Sequence, residues 1–247
     1  MLIYQFREED TKGPEFECLK RISGLPEDQL TVVDTLTTAP SVEDLNGHDL
    51  FLLPGCGSFA VSKGDLPHWQ ELLEVVRAAA AQNLPIFGIC FGAQILAEAL
   101  GGKVEYRPED QEMGSYQVCL TPEGQADPVF SQLPDCFNTQ QGHKDFITKA
   151  PDGAVVLARS EASPIQAFAL PEQSIYATQF HAELDMDSFK ERLDYYKALY
   201  VEDREVLQRI HDGLKPSPEA SGLLQLFMSH VFGFDFSSET VEKRVDQ

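Results

Sequence analysis

Short apolar runs alternate with helical patterns through the first hundred residues, and this alternation restricts the fold more than any other feature of the chain. Residues 2–6 read as a first strand, 14–22 as a helix, and 30–34 and 49–53 as two further strands. Trp69, Leu72, Leu73, Val76 and Ala80 then recur three and four residues apart, which predicts a helix over 67–82. A buried strand follows over 85–89. Strand–helix–strand units of this kind cover both faces of a mainly parallel sheet. From about residue 103 to 180 the pattern changes to strand-like pieces broken by Pro, Gly and Asp, at 116–120, 154–158, 165–169 and 174–180; these extend the sheet or form a second antiparallel layer. The last sixty or so residues have helical patterns at 187–200, 202–211 and 218–232. The expected architecture is α/β: an open mixed, mainly parallel sheet with helices on both faces over residues 1–184. A helical extension over 185–247 is expected to pack on the same domain, because Leu223, Leu224, Leu226, Phe227 and Val231 need somewhere to bury.

Composition narrows what such a chain does. Its 19 basic and 40 acidic residues leave a formal charge of −21. A surface this acidic repels phosphate backbones and anionic lipid, so neither nucleic acid nor a membrane is an expected partner. No apolar run approaches the roughly 20 residues of a membrane span. Met1-Leu2-Ile3-Tyr4-Gln5-Phe6 lacks a basic flank and runs into Arg7-Glu8-Glu9-Asp10, so it reads as a strand and not as a signal peptide. Cys18, Cys56, Cys90, Cys119 and Cys136 are odd in number, without C-x-x-C or paired spacing, which argues against a disulfide framework and a zinc knuckle. The expectation is a soluble protein of the reducing cytoplasm with free thiols.

The most informative segment is Pro85-Ile86-Phe87-Gly88-Ile89-Cys90-Phe91-Gly92-Ala93-Gln94. A strand ending on a small-flanked nucleophile and turning at once into a helix is an elbow, with Gly88 and Gly92 permitting the sharp turn. It directs Cys90 outward at the carboxyl edge of the sheet. The helix N-terminus supplies partial positive charge and free N–H groups, which favour a thiolate and bind an oxyanion. Taken alone, Cys90 reads equally as a nucleophile or as a buried structural cysteine. The strand at 174–180 then delivers Gln179-Phe180-His181-Ala182-Glu183. His181 and Glu183, two apart on an extended chain, point to the same side. A thiol needs such a base, and the base needs a third group to orient it.

Together Gly88-Ile-Cys90-Phe-Gly92-Ala-Gln94 and Phe180-His181-Ala-Glu183 resemble the two signature motifs of class I, triad-type glutamine amidotransferases. Phe51-Leu-Leu-Pro-Gly55-Cys56-Gly57-Ser58 lies where that family carries a glycine-rich oxyanion loop. Gly114-Ser-Tyr-Gln-Val118, Gly142-His143-Lys144-Asp145 and the segment 157–167 resemble parts of GMP synthetase amidotransferase domains. The resemblance spans roughly residues 1–184 and implies a flavodoxin-like mixed sheet between helices. It also implies Cys90 as nucleophile, His181 as proton carrier and Glu183 as its orienting group. The N–H of Phe91, with one from the Gly55-Cys56 turn, would bind the oxyanion, and Gln94 would line the glutamyl pocket. The matching segments place His143 and Tyr116 near the site, although His143 and Asp145 read as loop residues. No metal and no cofactor is implied.

One departure is Cys56, where many relatives have a second glycine; a side chain there resembles the γ-glutamyl peptidase branch. Cys56 is read as an ordinary small residue, not a redox partner of Cys90. The leading expectation is therefore a free-standing hydrolase that releases ammonia from glutamine or another γ-glutamyl compound. Since the chain contains no G-x-x-x-x-G-K-[ST] loop, either a separate synthetase subunit accepts that ammonia or none does. The alternatives are a γ-glutamyl peptidase and a catalytically silent binding or regulatory domain.

Overall fold

Side chains alternate strictly between two faces along the first strands, and this period of two decides which helices cover which side. A computed structural model describes residues 1–200 and 204–236. The chain runs β1 (Leu2–Gln5), α1 (Glu9–Ser23), β2 (Thr31–Asp34), β3 (Phe51–Leu53), α2 (Trp69–Ala81), β4 (Ile86–Ile89), α3 (Phe91–Ala99), β5 (Lys103–Tyr106), β6 (Glu112–Leu120) and α4 (Pro122–Ala126). It continues as β7 (Cys136–His143), β8 (Asp145–Lys149), β9 (Val155–Arg159), β10 (Ala167–Leu170), β11 (Ile175–Thr178), α5 (Met186–Tyr200), α6 (Arg204–Gly213), α7 (Pro218–Ser221) and α8 (Leu223–Phe232). Residues 202 and 203 of the helix expected over 202–211, and 237–247 of the extension, lie outside the described residues.

One sheet of nine strands has the order β2-β1-β3-β4-β11-β10-β9-β6-β7, and β5 pairs with β8 apart from it. Pairing is parallel from β2 through β11 and antiparallel beyond, which is the expected mixed open sheet. Leu2, Tyr4, Phe51, Leu53, Ile86 and Ile175 face one side, where they pack with Leu72, Val76 and Ala79 of α2 and Ile95 and Leu96 of α3. Ile3, Leu52, Phe87, Ile89 and Tyr176 face the other, with Leu19 and Ile22 of α1 and Leu223, Leu224, Phe227 and Met228 of α8. The Phe227 ring lies 5.3 Å from the rings of both Phe87 and Tyr176. The apolar residues of α8 thus cover the second face of the sheet. Burying a side chain of this size contributes about 1.5–3 kcal/mol.

Three strands escape the sequence pattern. β7, Cys-Phe-Asn-Thr-Gln-Gln-Gly-His, has little apolar alternation; it is a strand because every residue pairs antiparallel with β6, from Cys136 opposite Cys119 to His143 opposite Glu112. β5 and β8 are short and pair with each other. The same hairpin corrects the reading of the cysteines. Cys119 and Cys136 are directly opposite across β6–β7 and form a disulfide, with Cα atoms 4.0 Å apart, while Cys18, Cys56 and Cys90 are free. No short-range spacing announces a bridge whose partners are set by the register of a polar strand.

Closing a loop with a sequence separation of 17 restricts the unfolded chain and is worth about 3 kcal/mol. Reducing the bridge, or replacing both cysteines by Ser, is expected to lower the unfolding free energy by about that amount, read from urea denaturation with and without reductant. Equal stabilities would show that the bridge contributes nothing.

Candidate active site

Four adjacent parallel strands, β1, β3, β4 and β11, end at the same edge, and the next residues along the chain supply the site: Arg7 after β1, Pro54-Gly55-Cys56 after β3, Cys90 after β4, and His181 and Glu183 after β11. In open α/β sheets this carboxyl edge is where ligands bind.

Cys90 ends β4 and caps α3 with φ 51° and ψ −103°, a conformation that residues with a Cβ rarely adopt. Such a backbone costs about 1–3 kcal/mol and persists only when its surroundings impose it. Here Cys90 N–H donates to Thr178 O at 2.7 Å and Gly92 N–H donates to Pro54 O at 3.1 Å. Gly92 is required, because a Cβ there would lie 1.9 Å from Leu53 O. The first N–H groups of α3, beginning with Phe91, lack acceptors within the helix.

His181 is buried and held from both sides. Its backbone N–H donates to Gln140 O of β7 at 2.9 Å. Its Nδ1 is 2.7 Å from Glu183 Oε1, and the Cys90 sulfur is near enough to act on the ring, where Nε2 is the nitrogen left over. Gly55 makes room for the ring: a Cβ there would come within 3.0 Å of His181 Cε1 and of Arg7 Nη2. Burial works against the charged imidazole, but the Glu183 carboxylate and the Cys90 sulfur outweigh it and push His181 up to about 9. Burial likewise raises Glu183, yet His181, Arg192 and Arg7 bring it down to about 2.

Cys90 opens onto a cavity of about 230 Å³ whose wall includes Cys56, Phe91, Gln94, Tyr106, His143 and Asp145. That is below the roughly 300–1,000 Å³ of drug-sized ligand sites and suits a ligand of amino-acid size. Gln94 Nε2 donates to Asp145 O at 2.9 Å and to Gln179 Oε1 at 3.2 Å. Cys56 is buried and donates to Phe6 O at 3.3 Å. Burial pushes its thiol up, against a smaller opposing effect of Arg7. It thus organises the loop after β3 as a serine would, with no sign of thiolate character.

His143 and Asp145 prove to be buried strand residues, at the end of β7 and the start of β8, not loop residues. Asp145 takes Ser62 N–H and Oγ–H at 2.8 and 2.7 Å, while His143 Nε2 lies 3.1 Å from Glu112 Oε2. Tyr116 is not brought to this cavity; it lines a separate one between β6 and α6. Sequence reasoning missed Gln179, whose Nε2 lies 3.9 Å from Cys90 Sγ, as well as Arg7, Glu112 and Arg192. For Arg7 a signal existed, a charged residue two positions beyond a buried strand at the carboxyl edge. Among the described residues no group of three His, Cys, Asp or Glu could hold a metal ion, and no helix is long and apolar enough to cross a membrane.

Fold and site together define an α/β protein that gathers a cysteine, a histidine and a carboxylate at one sheet edge. A family model described as glutamine amidotransferase class-I matches residues 24–196, and the chain belongs to that family. It is 37% identical over 111 residues to a glutamine-hydrolysing GMP synthase of Thermosipho melanesiensis, a match covering 45% of this chain and 21% of that protein. A second GMP synthase, from Lactobacillus acidophilus, is 42% identical over 102 residues, or 41% of this chain and 19% of the relative. The match thus spans about a fifth of the length of these relatives. Among solved structures, a glutamine amidotransferase from Thermotoga maritima has the same fold, with a TM-score of 0.69 at 22% identity over 93% of this chain and 96% of that one. A Thermoplasma acidophilum protein described as a candidate GMP synthase subunit superposes with a TM-score of 0.60 at 25% identity, over 84% and 98%.

The shifts of His181 and Glu183 predict how stability depends on pH. His181 is raised from 6.5, so its contribution is complete below about pH 6.5 and is lost as pH rises through about 9. Glu183 is lowered from 4.5, so its contribution is complete above about pH 4.5 and is lost as pH falls toward about 2. The excess stability of the wild type over His181→Asn, measured by urea unfolding across pH 5–10, is expected to shrink on the alkaline side. A constant excess would contradict the pairing.

Proposed function

We propose that this protein is a Cys-His-Glu hydrolase of γ-glutamyl amides, with glutamine as substrate. The observation that carries the reading is His181 placed between Cys90 and Glu183, beside a strained elbow that opens on a cavity of amino-acid size. Cys90 Sγ attacks the carboxamide carbon, and His181 Nε2 takes the thiol proton. The Phe91 N–H and one from the Gly55-Cys56 turn receive the oxyanion. The tetrahedral adduct collapses to a γ-glutamyl thioester as the C–N bond breaks, and His181 returns the proton to the departing ammonia. Water activated by the same imidazole then cleaves the thioester. Glutamate and ammonia are the products of glutamine and water. Gln94 and His143 line the glutamyl pocket, Cys56 shapes the oxyanion loop, and the described residues beyond 184 belong to the same folded unit.

The glutamine-hydrolysing GMP synthases among the relatives support a separate synthetase partner as the acceptor of the ammonia. A second reading, a γ-glutamyl peptidase, is favoured by one observation: Cys56 puts a side chain in the loop after β3 and points it inward. Both readings use the same triad and differ in the leaving group.

Pure protein incubated with glutamine and a panel of γ-glutamyl peptides, with glutamate, ammonia and amine release measured, separates them. Glutamine is expected to yield glutamate and ammonia, and Cys90→Ala to lower the rate by a factor on the order of 10⁴ or more while leaving the fold intact. Cleavage of a peptide with glutamine untouched would replace the amidase reading by the peptidase one. Full activity in Cys90→Ala would remove Cys90 from the mechanism.

A further inference from the structure

The carboxylate that orients His181 is itself held by a residue from the C-terminal segment. Glu183 has no solvent exposure, and a buried carboxylate persists in its charged form only if cations and donors surround it. Its Oε1 accepts from two directions, from His181 Nδ1 at 2.7 Å and from Arg192 Nη1 at 2.8 Å. Arg192 lies one turn along α5 from Phe189 and next to Leu193, with Tyr196 a turn further. Phe189, Leu193 and Tyr196 are buried, so Arg192 is carried on the inward stripe of the helix, with its side chain only 11% exposed. The stripe walls a small cavity on the far side of His181, together with Arg7, Cys56 and Gly142.

The surrounding charges are matched. Arg7 donates to Glu15 Oε1 at 2.6 Å, and Arg192 lies 3.9 Å from the same oxygen, so the buried Arg7 and the largely covered Arg192 face two buried carboxylates. The Tyr196 hydroxyl is hydrogen-bonded to Thr11 Oγ1 at 3.0 Å, and the Arg7 guanidinium lies 5.6 Å from the Tyr196 ring, which ties α5 to α1 and to the end of β1. Arg21 of α1 pairs with Asp185 at 3.0 Å just before α5 begins. Helix α5 is thus fixed at its start and along its inner face, with Arg192 aimed at one oxygen of Glu183.

We infer that Arg192 is a positioning residue for the Glu183–His181 pair: by holding Glu183 Oε1 and neutralising its buried charge, it makes helix α5 of the C-terminal segment a working part of the active site. The inference rests on the hydrolase reading above. Without the guanidinium the carboxylate would be free to turn away from Nδ1 and would take up a proton at higher pH, so that the imidazolium beside Cys90 lost its counter-charge.

The rate of Cys90 alkylation by iodoacetamide, followed from pH 4 to 9 with the labelled peptide identified by mass spectrometry, tests this without depending on the natural substrate. In Arg192→Met the acid-side fall in reactivity is expected to move up by about one pH unit, a loss of about tenfold at a pH on that limb. Arg192→Lys, which keeps the charge, is expected to return the limb to its wild-type position. A melting curve establishes that each variant is folded, and if Arg192→Met is not, Arg192→Gln, which keeps donors without the charge, takes its place with the same expected shift. A pH profile unchanged from wild type, or a rate lowered equally at every pH and not restored by Lys, would overturn the inference. A wild-type Cys90 that reacts no faster than the partly exposed Cys18 would instead sink the hydrolase reading, and this inference with it.

Discussion

The backbone of Cys90 is the constraint on which the rest of the site depends. With φ at 51° and ψ at −103°, Cys90 stays in place because β4 is clamped between β3 and β11. Thr178 O of β11 fixes its N–H, Pro54 O after β3 fixes that of Gly92, and α3 meets Leu53 so closely that only glycine fits at position 92. Strain of about 1–3 kcal/mol is small beside what the two-faced core around these strands contributes. The same clamp sets the geometry of the neighbours: the loop after β3 and the segment after β11 leave the sheet at the same level as Cys90, so Gly55 and His181 meet without further adjustment.

Electrostatics then determine which form of the site is stable. His181 and Glu183 are both buried, and burial opposes the charge on each; the pair survives because each supplies what the other lacks, with Cys90 on one side and Arg192 and Arg7 on the other. A buried pair of this kind is a weak stabiliser, since well-packed apolar residues commonly do as well. Under the proposed hydrolase reading, its presence at the mouth of the parallel sheet is explained by the proton that His181 would carry. Cys56, on the wall of the same cavity, is a buried thiol that donates to the Phe6 carbonyl and is pushed up by burial.

What could be read from the sequence was local. The elbow is written in consecutive residues, Gly88 to Gly92, and the His181–Glu183 pair in an i, i+2 spacing; both are short-range patterns and both lead to side chains that meet. The two-sided parallel half was legible because its strands are short apolar runs separated by helical patterns. What failed was long-range. β7 is polar and becomes a strand only against β6, so the Cys119–Cys136 bridge and the burial of His143 beside Glu112 could not be seen without that register. Tyr116, whose segment resembles part of GMP synthetase amidotransferase domains, is directed by the same hairpin toward α6. Arg192 carries no motif: it is one of three cations on its helix, and only the docking of α5 reveals its partner.

The central claim is that Cys90 carries the γ-glutamyl group covalently. Acid quench of the protein during turnover of glutamine, followed by digestion and peptide mass spectrometry, tests it most directly. A mass increase of one γ-glutamyl group is expected on the peptide containing Cys90, removed by hydroxylamine and absent in Cys90→Ser. Steady release of glutamate with the Cys90 peptide unmodified and the adduct on another residue would contradict it.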